Sequence, residues 1–341
     1  MLDSQKVKDF LYEECAAEVV GIAPANPFSE EHKKRVLASQ DILKSANPMM
    51  SAASGIYDPQ DFVDNAQSVI VFGRNSFFGP EFMSDSNKSD GPRGTIGNFY
   101  LNERILNRAI EQASKLQDFL NAEGYNSDSP FQGFPQKIKA VEAGIGFYGK
   151  NTLVLNEKLG TWTSISTVIT DAPLEPDKPM ERDCGNCRKC VEACPTGALT
   201  NEYTLQVDKC LIYYLCHLKG EIPLEVRDKI GVRIGTCLVC SDICPYNRKI
   251  TLNTQDRLPD EEIYPYLIPL LNISQEEYDK KYGDKMFGLI IGGRRYLRRN
   301  IAVALGNAND KSALPALEIA AKDEDELVRS HAQWAIDKLS S

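Results

Sequence analysis

Apolar residues recur at helical spacing in some stretches of the chain and form short unbroken runs in others. Val7, Phe10 and Leu11 share one helical face, and Glu18-Val-Val-Gly-Ile-Ala then reads as a short strand ended by Pro24. Residues 29–45 predict a second helix, with Ser29 as its cap and Glu31 in its first turn. Ser68-Val-Ile-Val-Phe-Gly is β-branched and apolar, as expected of a buried strand closed by Gly73. Residues 46–60 and 74–97 are polar and rich in Gly, Pro or Ser, so they predict loops, the second long enough to be functional. The clearest helix spans 99–123: Leu106, Ile110, Ala113, Leu116, Phe119 and Leu120 line one face, and Gly124 stops it. A glycine-rich turn, Gly144-Ile-Gly-Phe-Tyr-Gly-Lys-Asn-Thr, leads into the strand Leu153-Val-Leu, and Thr163-Ser-Ile-Ser-Thr-Val-Ile-Thr follows Gly160 as another. Residues 1–175 therefore read as one α/β or α+β domain.

The last fifty residues or so are helical. Arg298-Arg-Asn-Ile-Ala-Val-Ala-Leu-Gly and Val328-Arg-Ser-His-Ala-Gln-Trp-Ala-Ile resemble each other about thirty residues apart, with Ser312-Ala-Leu-Pro-Ala-Leu-Glu-Ile-Ala between them. This is the pattern of a HEAT-like helical repeat, which buries its face by stacking on a neighbour. The expected fold class is α+β, with an α/β-type N-terminal domain over 1–175, a cysteine-rich ferredoxin-like unit over 176–250 and a helical HEAT-like region over 251–341.

Composition narrows the class. A chain of 341 residues exceeds one core of the commonest size. Its 42% hydrophobic and 26% charged content is that of a soluble globular protein. No run approaches the ~20 apolar residues that span a bilayer, and the N-terminus lacks the basic-then-apolar pattern of a secretory signal, so a cytoplasmic location is expected. The net charge of −9 repels nucleic acid on average. Any such contact needs a local basic patch, and Arg294, Arg295, Arg298 and Arg299 form the candidate. The competing reading is a solvated helix face balanced by the acidic run Asp323-Glu-Asp-Glu.

The chemistry lies in the cysteines. Seven of the ten form two runs: Cys184-Gly-Asn-Cys-Arg-Lys-Cys-Val-Glu-Ala-Cys-Pro, and Cys237-Leu-Val-Cys-Ser-Asp-Ile-Cys-Pro with Ile234 where a first cysteine would stand; two cubanes need eight ligands, so one must come from outside the runs. The first run matches two-cluster ferredoxins, in which three cysteines bind one 4Fe–4S cluster and the fourth binds the other. Two intervening residues let a loop wrap one cluster face with successive thiolates, and proline turns the chain away. Structural zinc also uses paired C-x2-C motifs, but the 2-2-3-Pro spacing occurs nearly twice. By the ferredoxin pattern, Cys184, Cys187, Cys190 and Cys244 hold one cluster. Cys194, Cys237 and Cys240 belong to the other, whose remaining ligand is Cys210 or Cys216. Cys15, and whichever of that pair is left over, read as small buried hydrophobes.

Four features together resemble the epoxyqueuosine reductase family: Ala143-Gly-Ile-Gly-Phe-Tyr-Gly-Lys-Asn-Thr, the strand ending Thr167-Val-Ile-Thr-Asp-Ala-Pro-Leu-Glu-Pro-Asp, the double ferredoxin unit and the terminal repeat. The resemblance implies reduction of epoxyqueuosine in tRNA, the last step of queuosine synthesis, with two 4Fe–4S clusters and cobalamin bound base-off. Asp208-Lys-Cys-Leu-Ile-Tyr-Tyr-Leu, followed by Lys219-Gly-Glu-Ile-Pro, resembles the family segment that carries the eighth ligand, which selects Cys210. By the same resemblance, Lys150, Asn151 and Thr152 lie near the corrin, with Thr161 and Ser164 as further candidates. An ungapped count back from Gly144 puts Pro130 where the family has its proton-donating aspartate; Asp128 fits that role with a two-residue insertion. The family's Asp-Tyr-His stretch is replaced by Gly97-Asn-Phe-Tyr-Leu-Asn-Glu-Arg, where Tyr100 is a substitute donor. His32, His217 and His331 sit in no motif for a lower cobalt ligand, in keeping with base-off binding. A small organic substrate, as in reductive dehalogenases, and electron transfer to a corrinoid or flavin partner are the competing functions. Either way an external low-potential electron donor is implied.

Overall fold

The computed structural model describes residues 2–46, 58–80, 91–130, 134–200 and 203–341. Asp3 caps the first helix, α1 (Ser4–Glu13), by accepting from the Gln5 amide at 2.9 Å. Strand β1 (Val19–Pro24) and helix α2 (Glu30–Ala46) follow, and the Ser29 hydroxyl accepts from the His32 amide as a cap should. Beyond β2 (Ser68–Asn75), the predicted long helix is interrupted: Asn98–Leu101 forms one turn, extended Asn102 breaks it, and the Asn102 side chain caps α3 (Glu103–Ala122). Next come β3 (Ser127–Asp128), α4 (Gln136–Glu142), the hairpin of β4 (Phe147–Tyr148) and β5 (Val154–Leu155), and β6 (Thr163–Thr170). Of the two predicted loops, residues 47–57 and 81–90 lie outside the described residues.

The main sheet has the order β1-β2-β6-β3, and every ladder in it is antiparallel. That is the α+β arrangement; the α/β alternative would need parallel strands joined by crossovers. Alternation along the strands splits the core into two layers. Ile22, Ile70, Phe72 and Val168 face α1 and α3, where Val7, Leu11, Leu116 and Leu120 meet them. Ala23, Val69, Val71 and Ile169 face the other way, against Ala140 and Ala143 of α4. Close approach of α4 requires Gly21, because a Cβ there would fall 2.1 Å from the Ala143 carbonyl oxygen. The apolar stripe of α3 is narrower than its sequence implies: Gln112, Ala113, Leu116 and Leu120 are buried, but Ile110 is 52% exposed. Ile110 lies off the line along which α3 meets the sheet.

The C-terminal helices are α5 (Arg294–Ala308), α6 (Leu314–Ala320) and α7 (Glu326–Ser340). The two matching sequence stretches fall on α5 and α7, which pack directly on each other. Their core takes in residues from the rest of the chain, namely Ile96 and Leu101 before α3 and Ile234 of the cysteine-rich unit. Asp256 reinforces the join by pairing with Arg108 of α3. Among the described residues, no helix is long and apolar enough to cross a membrane.

Candidate redox site

The cysteine-rich unit is built from short helical turns separated by irregular loops, which leaves its thiols on loops and turn ends. Cys244 feels the Cys190, Cys184 and Cys187 thiols, and burial, its main influence, raises its pKa. Burial likewise raises Cys190, with Cys184 and Cys187 beside it. A second grouping surrounds Cys240, which is pushed far up by burial and then by Cys237, Cys210, Cys190 and Cys194. Cys210 in turn feels Cys194. Cys190 is thus common to both neighbourhoods, so the two groupings adjoin.

Amide donors point at several of the sulfurs. The Lys150 amide donates to Cys184 Sγ at 3.5 Å. Ile212 and Tyr213 donate to Cys210, and Tyr246 donates to Cys244. Burial works against ionisation of Cys194, yet donors from Leu199, Thr196 and Ala198 hold its pKa below the usual thiol value. Hydrogen bonds to sulfur favour the thiolate, the form that ligates metal. Among the described residues, no three His, Cys, Asp or Glu side chains close on a point that would hold a single metal ion; a four-iron cluster spaces its ligands more widely than one ion does. The two remaining cysteines are engaged elsewhere. Cys216 is buried, donates to the Gly235 carbonyl at 3.3 Å, and is pushed up to about 12 by burial. Cys15 lies in the core below the sheet.

The β4–β5 turn reaches into this unit. Lys150, nearly buried, donates from Nζ to the carbonyls of Gly185 at 2.6 Å and Cys187 at 3.1 Å. Asn151 donates to the Cys240 carbonyl at 3.3 Å. One tight turn therefore touches loops of both thiol groupings. Thr152 closes the turn at φ +61°, and its carbonyl accepts from Lys137. Thr161 and Asn247 exchange two 2.8 Å hydrogen bonds, and Gly160 at φ +56° leaves Asn247 the room to approach.

Residues 183–247 match the family model described as a 4Fe-4S double cluster binding domain. An epoxyqueuosine reductase of Lactococcus garvieae is 39% identical over 253 residues, which cover 73% of this chain and 71% of that protein. A solved epoxyqueuosine reductase superposes with a TM-score of 0.85 at 29% identity, covering 98% of this chain and 91% of its own. Another, solved with an epoxyqueuosine-modified stem loop of a tyrosine tRNA, superposes with a TM-score of 0.84 at 28% identity over 99% of this chain and 91% of its own.

The chain belongs to the epoxyqueuosine reductase family. It is an oxidoreductase with a double-cluster iron–sulfur domain.

Against that identity, the arginines expected to meet tRNA need correction. Arg299 is fully buried and Arg298 is 4% exposed. Arg298 pairs with Asp323 at 2.6 Å and donates to the Leu271 carbonyl. Arg294 donates to the Ile273 carbonyl, while Arg295 pairs with Asp325 and stays half exposed. The four do not form one solvent-facing patch, because neighbouring segments cover half of it.

Asp128 is exposed on the edge strand β3, opposite Ile169. Cross-strand partners share a face, so Asp128 lies on the same side of the sheet as Thr163 and Thr167. Ser164 lies on the opposite face and about 17 Å along the strand from Ile169, so Asp128 and Ser164 are not brought together. The residues missed from sequence are Trp162, Thr163 and Thr167: Nε1 of the first and Oγ1 of the others are buried with no partner among the described residues. Two threonines four positions apart on one face of this strand, either side of Ile165, were the available signal. Tyr100, with its phenol pKa raised first by burial, stands near Cys216 and Cys210.

Proposed function

We propose that this chain is a cobalamin-dependent reductase in which two 4Fe–4S clusters pass electrons to base-off cobalamin, and that its substrate is epoxyqueuosine in tRNA. The observation that carries the reading is the pair of adjoining thiol groupings under one turn. Cys184, Cys187, Cys190 and Cys244 would hold one cluster, and Cys194, Cys210, Cys237 and Cys240 the other. The amides aimed at Cys184, Cys194, Cys210 and Cys244 fit thiolate ligands.

Cobalamin, when bound, supplies a metal that takes up low-potential electrons and delivers them to the substrate. The unpartnered polar atoms of Trp162, Thr163 and Thr167 fit a polar cofactor lying along β6. Asn151 and Thr152, at the tip of the turn, are the candidates on the cluster side. Reducing an epoxide consumes protons as well as electrons, and Asp128 is the candidate donor on the same sheet face. In this reading residues 1–175 hold cofactor and substrate, 176–250 hold the clusters, and the HEAT-like region 251–341 borders the tRNA, with Arg295 as its exposed arginine.

Anaerobically purified protein should contain iron and sulfide for two clusters and should change the visible spectrum of added cobalamin; failure to bind cobalamin sinks the reading. Asp128→Ala should lower turnover of epoxyqueuosine-tRNA by about 10²-fold or more, with iron content and cobalamin binding unchanged. Full turnover by that variant removes Asp128 as the donor. Burial of Arg298 and Arg299 favours a second reading, a small organic substrate, which inactivity on the modified tRNA by cobalamin-loaded protein would support.

A further inference from the structure

Helix α5 carries three consecutive polar residues, Arg298, Arg299 and Asn300, that are all buried. A buried guanidinium is costly unless its donors are paired. Arg299 pairs all five. Nη1 donates to the carbonyls of Leu218 and Gly220, both at 2.7 Å. Nη2 donates to the Tyr214 carbonyl at 2.8 Å and to Asn300 Oδ1 at 2.9 Å, and Nε donates to the same oxygen at 3.0 Å. Asn300, its oxygen held by Arg299, donates from Nδ2 to the carbonyls of Leu215 at 2.8 Å and Ile234 at 2.9 Å.

Those acceptors lie on two different segments. Tyr214, Leu215, Leu218 and Gly220 belong to the stretch that begins just after Cys210. Ile234 precedes Cys237 and occupies the place where the ferredoxin run would have a cysteine. The second run lacks a ligand of its own, so a thiol must come from a segment far away in sequence. Holding such a segment beside the run costs chain entropy; the Arg299–Asn300 unit bonds to both, beside the contact of the Cys216 thiol with the Gly235 carbonyl.

We infer that Arg299 and Asn300 are positioning residues for the second cluster: they clamp the Cys210 segment against the Cys237 run so that Cys210 can act as the distant ligand. This rests on the ligand assignment proposed above. It explains why a helix outside the cysteine-rich unit carries buried polar groups that make no contact with solvent.

Asn300→Asp tests it, because the carboxylate keeps an acceptor for Arg299 but loses both donors to Leu215 and Ile234. Iron and sulfide in the anaerobically purified full chain should fall to roughly half. The EPR spectrum of the dithionite-reduced protein should keep a single-cluster signal and lose the magnetic interaction between clusters. Cys210→Ser should behave alike. Asn300→Ala, which sets no charge against the carbonyls, serves if the aspartate variant does not accumulate folded. Full iron with an intact interaction signal in the Asn300 variant, beside depleted Cys210→Ser, overturns the positioning role alone. Full iron in Cys210→Ser overturns it through the ligand assignment. Parallel loss of both clusters marks a general loss of structure and also overturns it.

Discussion

Lys150 illustrates what a single residue does once its neighbours are known. From sequence it is a polar residue in a glycine-rich turn, assigned to the corrin by resemblance. In the structure its ammonium is committed to the Gly185 and Cys187 carbonyls and its amide to Cys184 Sγ. A fixed positive charge beside a cluster stabilises the reduced, more negative state and so raises the potential. Lys150→Met should therefore lower the potential of the cluster proposed for Cys184, Cys187 and Cys190, and Lys150→Arg should restore it in part. An EPR-monitored redox titration reads the shift; an unchanged potential in the methionine variant would show that the charge is too well screened to matter. The double-cluster unit was legible because the spacing of its cysteines is local, written in the distance between neighbours along the chain. Arg298 and Arg299 were not, because a run of arginines on a helix looks the same whether water or a packed segment covers it.

At the scale of elements, β1, β2, α2 and β6 follow the sequence closely, since each is a compact run with its own stop signal. The long helix departs from expectation at Asn102, whose capping side chain competes with helix continuation, and at Ile110, which the tertiary arrangement leaves outside. Antiparallel pairing throughout the sheet could not be read from strands alternating with helices, because strand direction depends on the path of the connections. Gly21 is the most constrained contact between elements. A methyl group there meets backbone, the Ala143 carbonyl oxygen, so α4 as a whole must retreat. Gly21→Ala should destabilise the chain by about 1–3 kcal/mol, measured as a lower denaturant midpoint with an unchanged slope. A midpoint equal to that of the parent would mean that α4 rides on the sheet with slack.

Across the whole molecule, the C-terminal helices hold the cysteine-rich unit through buried polar bonds as well as apolar packing. His331 on α7 is one such link. It is fully buried, and its Nε2 accepts from the Ile222 amide at 3.0 Å while Nδ1 contacts the Leu327 carbonyl at 2.7 Å. Accepting at Nε2 and donating at Nδ1 requires the neutral ring. Burial first, then the Arg227 and Arg299 charges, push its pKa down to about 3 from an ordinary 6.5, although the Leu327 carbonyl favours the cation. Between those values the unfolded chain binds a proton that the folded chain refuses, so stability falls as pH drops below 6.5. The slope approaches about 1.4 kcal/mol per pH unit from this one group. Denaturant unfolding at mildly acidic and at neutral pH should show the loss, and His331→Gln, which can accept and donate without titrating, should flatten it. If the glutamine variant keeps the full acid sensitivity, carboxylates elsewhere cause it, and the α7 link is not what acid releases from the cluster-bearing segment.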